Sequence, residues 1–202
     1  SSVCRSMAAR LQNFLRRRKM NLATGGMRFA RYDRLLNGRW DKTMRIMIVS
    51  DTHGRHSALD EALEQAGKID MLLHLGDVEG GEDYIEAVAG CPVCMVAGNN
   101  DFFSFQKKER EFTLGGKKIF MTHGHYYYVS MGTEMIRKEG LSRGVDVVMF
   151  GHTHRPYFEQ DDQITVLNPG SLSFPRQPGR QGSYMIMEIH PDGKMDFETY
   201  YL

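Results

Sequence analysis

Met44-Arg45-Ile46-Met47-Ile48-Val49-Ser50-Asp51-Thr52-His53 decides how this chain is read. An apolar run this short, rich in Ile, Met and Val and without polar alternation, predicts a strand buried on both faces. It ends in a carboxylate and an imidazole two residues apart. The same arrangement recurs downstream. Gly76-Asp77 follows the run Met71–Leu75, and Gly98-Asn99-Asn100-Asp101 follows Val93–Ala97. His123-Gly124-His125 ends Lys118–Thr122, and Gly151-His152-Thr153-His154 follows Val145–Phe150.

Between these runs lie amphipathic segments, Ser57–Gln65, Asp83–Ala89 and Thr133–Glu139, which predict helices. After Phe150 the texture changes to short strand-like runs, Tyr157–Gln160, Gln163–Leu167, Ser183–His190 and Lys194–Tyr200. Pro191-Asp192-Gly193 marks a hairpin between the last two. An α/β front half followed by an all-β back half predicts two sheets packed together with helices outside.

Functional groups in such sheets gather in the loops beyond the carboxyl ends of strands. Five strand ends are therefore expected to converge on one edge of a sheet. They would deliver Asp51, His53, Asp77, Asn99, His123, His152 and His154 to one place. Carboxylate and amide oxygens mixed with imidazoles suit first-row divalent ions of intermediate hardness. Seven such ligands are too many for one four-coordinate structural zinc. They suit two ions sharing a carboxylate, and ions roughly 3.5–4 Å apart activate water against phosphate esters. A single Gly-Asp or Asp-x-His is a weak signal, whereas the five motifs in this order are specific. His56, His74 and His190 lie outside the set and read as surface or core histidines.

The 202 residues allow one domain with a tail, and 41% apolar content is ample for a core. No apolar run approaches the roughly 20 residues of a membrane-spanning helix, so no membrane insertion is expected. Net charge is only +1, but it is unevenly placed. Residues 1–43 hold eleven Lys/Arg and two Asp/Glu, giving +9, while residues 44–202 come to −8. The break puts a boundary near Met44, between a basic N-terminal extension (1–43) and a globular domain (44–202). Met7–Met20 could form an Arg-rich helix. The extension is read first as non-native upstream or disordered sequence, ahead of a targeting segment or a surface for nucleic acid or anionic lipid. Cys91-Pro92-Val93-Cys94 has redox or zinc half-site spacing but no second pair to complete a knuckle. Two small apolar residues of a reduced cytoplasmic protein are the simpler reading.

Taken together, Asp-x-His, Gly-Asp, Gly-Asn-x-Asp, His-Gly-His and Gly-His-x-His resemble the calcineurin-like metallophosphoesterases. The opening Met44–Gly54 and the later Asn168-Pro169-Gly170-Ser171 resemble the small YfcE-like phosphodiesterase branch. The resemblance spans Met44 to about Leu202 and leaves residues 1–43 uncovered. It implies an α/β fold of two mixed β-sheets packed face to face and flanked by helices. It also implies a dinuclear-metal-dependent phosphodiesterase, working by in-line attack of a metal-bridged hydroxide. Asp51, His53 and His154 match the ligands of one metal, Asn99, His123 and His152 those of the other, and Asp77 the bridging carboxylate. The implied ions are two divalent metals, manganese first, with nickel, zinc, iron or magnesium as alternatives. Asp77, Asn100 and His125 are the candidate catalytic residues. The substrate would be a small phosphodiester, nucleic acid is not required, and a homo-oligomer is compatible with the reading. Relatives that serve as protein-interaction scaffolds supply the alternative function.

Asn100 departs from the family pattern, where His is common and Cys occurs. An amide can donate a hydrogen bond to a phosphoryl oxygen but supplies no proton at neutral pH. This weakly favours diesters over alkyl monoesters. Phe102, Phe103, Phe105 and Tyr126-Tyr127-Tyr128 lie near the motifs and are expected mostly in the core or covering the rim. Arg155 and Arg176 are candidate substrate contacts, because guanidinium matches phosphate geometry.

Overall fold

The structure is a computed structural model and describes residues 41–202. The helix read over Met7–Met20 and most of the basic extension lie outside the described residues.

Ten strands form two five-stranded mixed sheets. The first has β1 (Met44–Val49) at its centre, parallel to β2 (Met71–His74), which is parallel to β3 (Val93–Met95). On the other side of β1, β9 (Ser183–Ile189) and β10 (Met195–Tyr201) continue the sheet antiparallel. The second sheet runs β4 (Glu109–Leu114), β5 (Lys117–Thr122), β6 (Val147–Met149), β8 (Thr165–Pro169), β7 (Pro156–Gln160). Here β5, β6 and β8 are parallel, and the edge strands are antiparallel. Helices α1 (Ser57–Ala66) and α2 (Glu82–Val88) follow β1 and β2, a 3₁₀ turn covers His125–Tyr127, and α3 (Glu134–Arg143) precedes β6.

Alternation along β1 shows how the layers are made. Ile46 and Ile48 point into the core between the sheets, with Leu73, Val96, Met121, Val147, Met149 and Met187. Met47 and Val49 point the other way, against Leu59, Ala62 and Leu63 of α1 and Ile85 of α2. The second sheet does the same with Phe120, Val148 and Val166 against Ile136 of α3. Both faces of the central strands are therefore buried, which is why they read as continuous apolar runs. The sequence of layers is helix, sheet, sheet, helix, as expected.

Two expectations change. The strands that lead into the candidate ligands do not belong to one sheet: β1, β2 and β3 lie in the first, β5 and β6 in the second. Their carboxyl ends meet at one end of the sandwich because each set is internally parallel and the two sheets face each other. Second, Glu109–Leu114 is a strand that apolar patterning does not reveal. As an edge strand it keeps charged residues on its exposed side. Its hairpin to β5 turns at Gly115-Gly116, both with positive φ (58° and 78°), a two-residue turn that glycine permits.

Candidate metal centre

The turns after β1, β2 and β6 adopt a conformation that side chains rarely accept. Asp51, His53, Asp77, His152 and His154 all have positive φ, between 45° and 68°. Left-handed backbone at a non-glycine residue costs about 1–3 kcal/mol and persists where surrounding structure enforces it. Hydrogen bonds enforce it here. The amides of Asp51 and His53 donate to the carbonyls of Gly76 and Asp77 (3.0 and 2.9 Å), locking the first turn to the second. The His152 amide donates to Asp51 Oδ2 (3.1 Å), joining the two sheets.

The side chains then gather into two donor groups. Asp51, His53 and His154 form one; Asp51, Asp77 and His123 form the other, with ligand atoms within 4.8 Å of one another in each. Asn99 and His152 sit beside the second: His152 Nδ1 is 2.9 Å from Asn99 Oδ1, and its ring centre is 5.2 Å from that of His123. All seven sequence-derived positions thus reach one end of the sandwich. As the side chains stand, Asp51 is common to both groups, while Asp77 lies in the second and 3.9 Å from His53 Nε2.

Three of the four imidazoles are oriented from behind. His123 Nδ1 donates to the Leu75 carbonyl (2.8 Å), His154 Nδ1 to the Phe174 carbonyl (2.8 Å), and His53 Nδ1 to the Glu79 carboxylate (2.7 Å). With a proton held on Nδ1, Nε2 of each of these rings points inward, where it can ligate whenever the ring is neutral. His53 Nε2 and His154 Nε2 face each other at 3.3 Å. Asp51 Oδ1 and His123 Nε2 are buried and have no hydrogen-bond partner. Asp51 and Asp77 are at most 1% exposed, and among the described residues no Lys or Arg pairs with either. Two buried carboxylates need positive charge beside them, and the protein offers only imidazoles among the described residues, His154 Nε2 3.2 Å from Asp51 Oδ1 and His123 Nε2 3.4 Å from Asp77 Oδ2. Divalent cations among these donors would supply that charge, so the residues fit the metals expected of them.

The ionisation of the protein alone shows the same demand for positive charge. Burial pushes the Asp51 and Asp77 carboxyls up. For Asp51 this is outweighed by the His154 and His123 rings, and for Asp77 by His123 and by hydrogen bonds from Asn100; both end below the usual carboxylate range. Burial would lower His123, but Asp77 and Asp51 hold it above the ordinary imidazole value. Burial and the His123 charge push His152 down, and His125 down to about 4.

The remaining expected residues take definite places. Asn100 turns toward Asp77, donating Nδ2 to Oδ2 (2.7 Å) and its amide to Oδ1 (2.9 Å). The His125 ring lies 5.5 and 6.1 Å from those of His123 and His152. His74 is in the core and His190 on the surface, as read. Cys94 packs in the core with Sγ 3.9 Å from Met121 Sδ. Phe102, Phe103 and Phe105 are exposed, at 81%, 96% and 104%, against the expectation that most of these aromatics are core or rim cover. They lie in the loop between β3 and β4, and none of the three belongs to a core cluster among the described residues.

Sequence reasoning gave no part to several residues that shape the site. Glu79 orients His53; its spacing from Asp77 repeats that of His53 from Asp51, the one signal that could have found it. Asp101 ties the loops together, accepting from the amides of Glu79 (2.6 Å) and Gly98 (2.8 Å). Buried Asn168 donates to the Gly151 carbonyl (2.8 Å) and Thr153 Oγ1 (3.0 Å) and accepts from the Gly170 amide (2.8 Å), shaping the His152–His154 turn. Ser171 Oγ donates to the Asp51 carbonyl (2.8 Å).

Known proteins resemble this chain. Residues 44–192 match the Calcineurin-like phosphoesterase superfamily domain. The probable metallophosphoesterase YsnB of Bacillus subtilis (strain 168) is 32% identical over 152 residues, covering 74% of this chain and 86% of that protein. Phosphodiesterase YfcE of Escherichia coli (strain K12) is 31% identical over 170 residues, covering 72% and 88%. The solved structure of Vacuolar Protein Sorting 29 from Cryptosporidium parvum superposes with a TM-score of 0.65 at 20% identity over 80% of this chain and 99% of that one, a likeness of fold. With the family match running from β1 to the hairpin before β10 and enclosing every donor of both groups, the chain belongs to the calcineurin-like phosphoesterase superfamily.

Proposed function

We propose that this protein hydrolyses phosphodiesters with two divalent metal ions, manganese first among them. The single observation that carries the reading is the pair of donor groups sharing Asp51, with buried carboxylates that no Lys or Arg pairs among the described residues and with Nε2 atoms turned inward. Asp51, His53 and His154 would hold one ion; Asp77, His123, Asn99 and His152 the other, with Asp51 or Asp77 common to both. When bound, such ions lower the pKa of water and neutralise charge on phosphoryl oxygens. Around them, Glu79 and the Leu75 and Phe174 carbonyls keep the imidazoles in the ligating tautomer. Asn100 fixes the Asp77 carboxylate and can offer its remaining N–H to a phosphoryl oxygen. His125, neutral at pH 7, can hydrogen-bond substrate without adding charge. Neither supplies a ready proton to a poor leaving group, which supports diesters with good leaving groups over alkyl monoesters.

The test is turnover of bis(4-nitrophenyl) phosphate and of an alkyl phosphate monoester by protein reconstituted with Mn²⁺, together with metal stoichiometry by elemental analysis. Two ions per chain and diester turnover abolished by chelator are expected. Undiminished turnover after verified metal removal would overturn the reading. We assign the chemistry to residues 44–202, so a chain starting at Met44 should keep its turnover number within a few-fold. A scaffold role is the second reading, favoured by the exposed Phe102, Phe103 and Phe105. Metal binding with no hydrolysis of either ester would select it.

A further inference from the structure

A cleft of about 600 Å³ opens beside the metal centre, lined by Arg155, Pro156, Arg176, Gln177, Pro178, Gly179 and Arg180. No carboxylate lines it. Among the described residues none of its three arginines, all exposed, forms an ion pair; Arg45, Arg137 and Arg143 do so elsewhere, while Arg55 and Arg110 do not. This occurs on a domain that is net acidic, −8 over residues 44–202. Three arginines lining one cleft with no carboxylate among them set up a positive potential that draws an anion. The segments that line the cleft are tied to the candidate metal centre through the backbone. Arg155 directly follows His154, the Arg176 amide donates to the His154 carbonyl (2.9 Å), and His154 Nδ1 is anchored on Phe174 two residues earlier. Arg180 is held at φ 48°, its amide on the Gln177 carbonyl (3.1 Å), so the loop that carries it is a defined turn.

We infer that Arg155, Arg176 and Arg180 form a subsite for a second phosphate of the substrate, so that the preferred substrates are phosphodiesters bearing a further phosphate group. The inference rests on the phosphodiesterase reading for its substrate, but the binding of phosphate to the cleft is separable from it. Guanidinium matches phosphate oxygens bidentately, and the contact is made equally in ground and transition states, so its effect falls on KM rather than kcat.

Two measurements test this. The first compares thymidine 5′-(4-nitrophenyl phosphate) with the same ester carrying a 3′-phosphate, on Mn²⁺-loaded full-length protein. The doubly phosphorylated ester should show a KM lower by roughly tenfold or more at low salt, shrinking as salt rises. The triple variant Arg155→Gln/Arg176→Gln/Arg180→Gln should abolish that preference; Arg176→Gln alone serves if the triple variant does not fold. The second measures binding of thymidine 3′,5′-bisphosphate to metal-free protein by calorimetry, where the arginine variants should weaken it by a similar factor. Equal KM for the two esters, or binding indifferent to the arginines, overturns the subsite. Arginine-dependent binding with no hydrolysis of either ester keeps the cleft as a phosphate site and sinks the phosphodiesterase reading instead.

Discussion

His74 should make the stability of the metal-free protein depend on pH in a removable way. The ring is fully buried beneath the site. Its Nδ1 accepts from the Gly76 amide (3.2 Å), so Nε2 carries the proton and donates to Thr52 Oγ1 (3.0 Å). Burial pushes its pKa from the ordinary 6.5 down to about 4, the opposing pull of Asp51 and Asp101 being weaker. The unfolded chain therefore binds a proton between pH 6.5 and 4 that the folded chain refuses. Stability contributed by neutral His74 is fully present above about 6.5 and lost as pH falls toward 4. A drop of that size is worth about 3 kcal/mol in full, and about 2 kcal/mol between pH 7.5 and pH 5. In His74→Gln the amide can accept from Gly76 and donate to Thr52 without titrating. Urea unfolding in chelator, wild type and variant, at both pH values is the assay. Other titrating groups act in both proteins, so the difference of differences isolates His74. The variant should lose about 2 kcal/mol less than wild type on going to pH 5. Equal losses would refute the argument.

Gly98→Ala should damage the metal centre specifically, because a Cβ there would overlap the Asp77 carboxylate and backbone nitrogen. Metal affinity and diester turnover should fall at least about tenfold, whereas Gly90→Ala, with open space around it and φ 66°, should cost only about 1 kcal/mol of stability; equal metal affinity in the two variants would show that the close approach does not matter. Asn168→Ala removes three buried hydrogen bonds and should destabilise by about 2–4 kcal/mol. It should also weaken metal binding by freeing the His152–His154 turn, so a calorimetric titration with Mn²⁺ showing wild-type affinity would limit Asn168 to a structural role.

The amino-acid order by itself determined which strands are central and where the ligands fall on them. Burial on both faces demands unbroken apolar runs such as Ile46–Val49, and parallel strands must end in turns where polar groups are allowed; both leave a local mark. The edge strand Glu109–Leu114 left none, because half of it faces water. Nor could order along the chain say that Asp51 and His123 arrive from different sheets, since pairing depends on which faces cover each other. Only the tertiary structure brought Glu79 behind His53, set Asn168 under a turn fifteen residues earlier, and turned Asn100 onto Asp77. Those contacts join side chains distant in sequence, and the backbone that carries them turns through left-handed residues at Asp51, Asp77 and His154. Residue type does not announce such turns; the packing of two sheets imposes them.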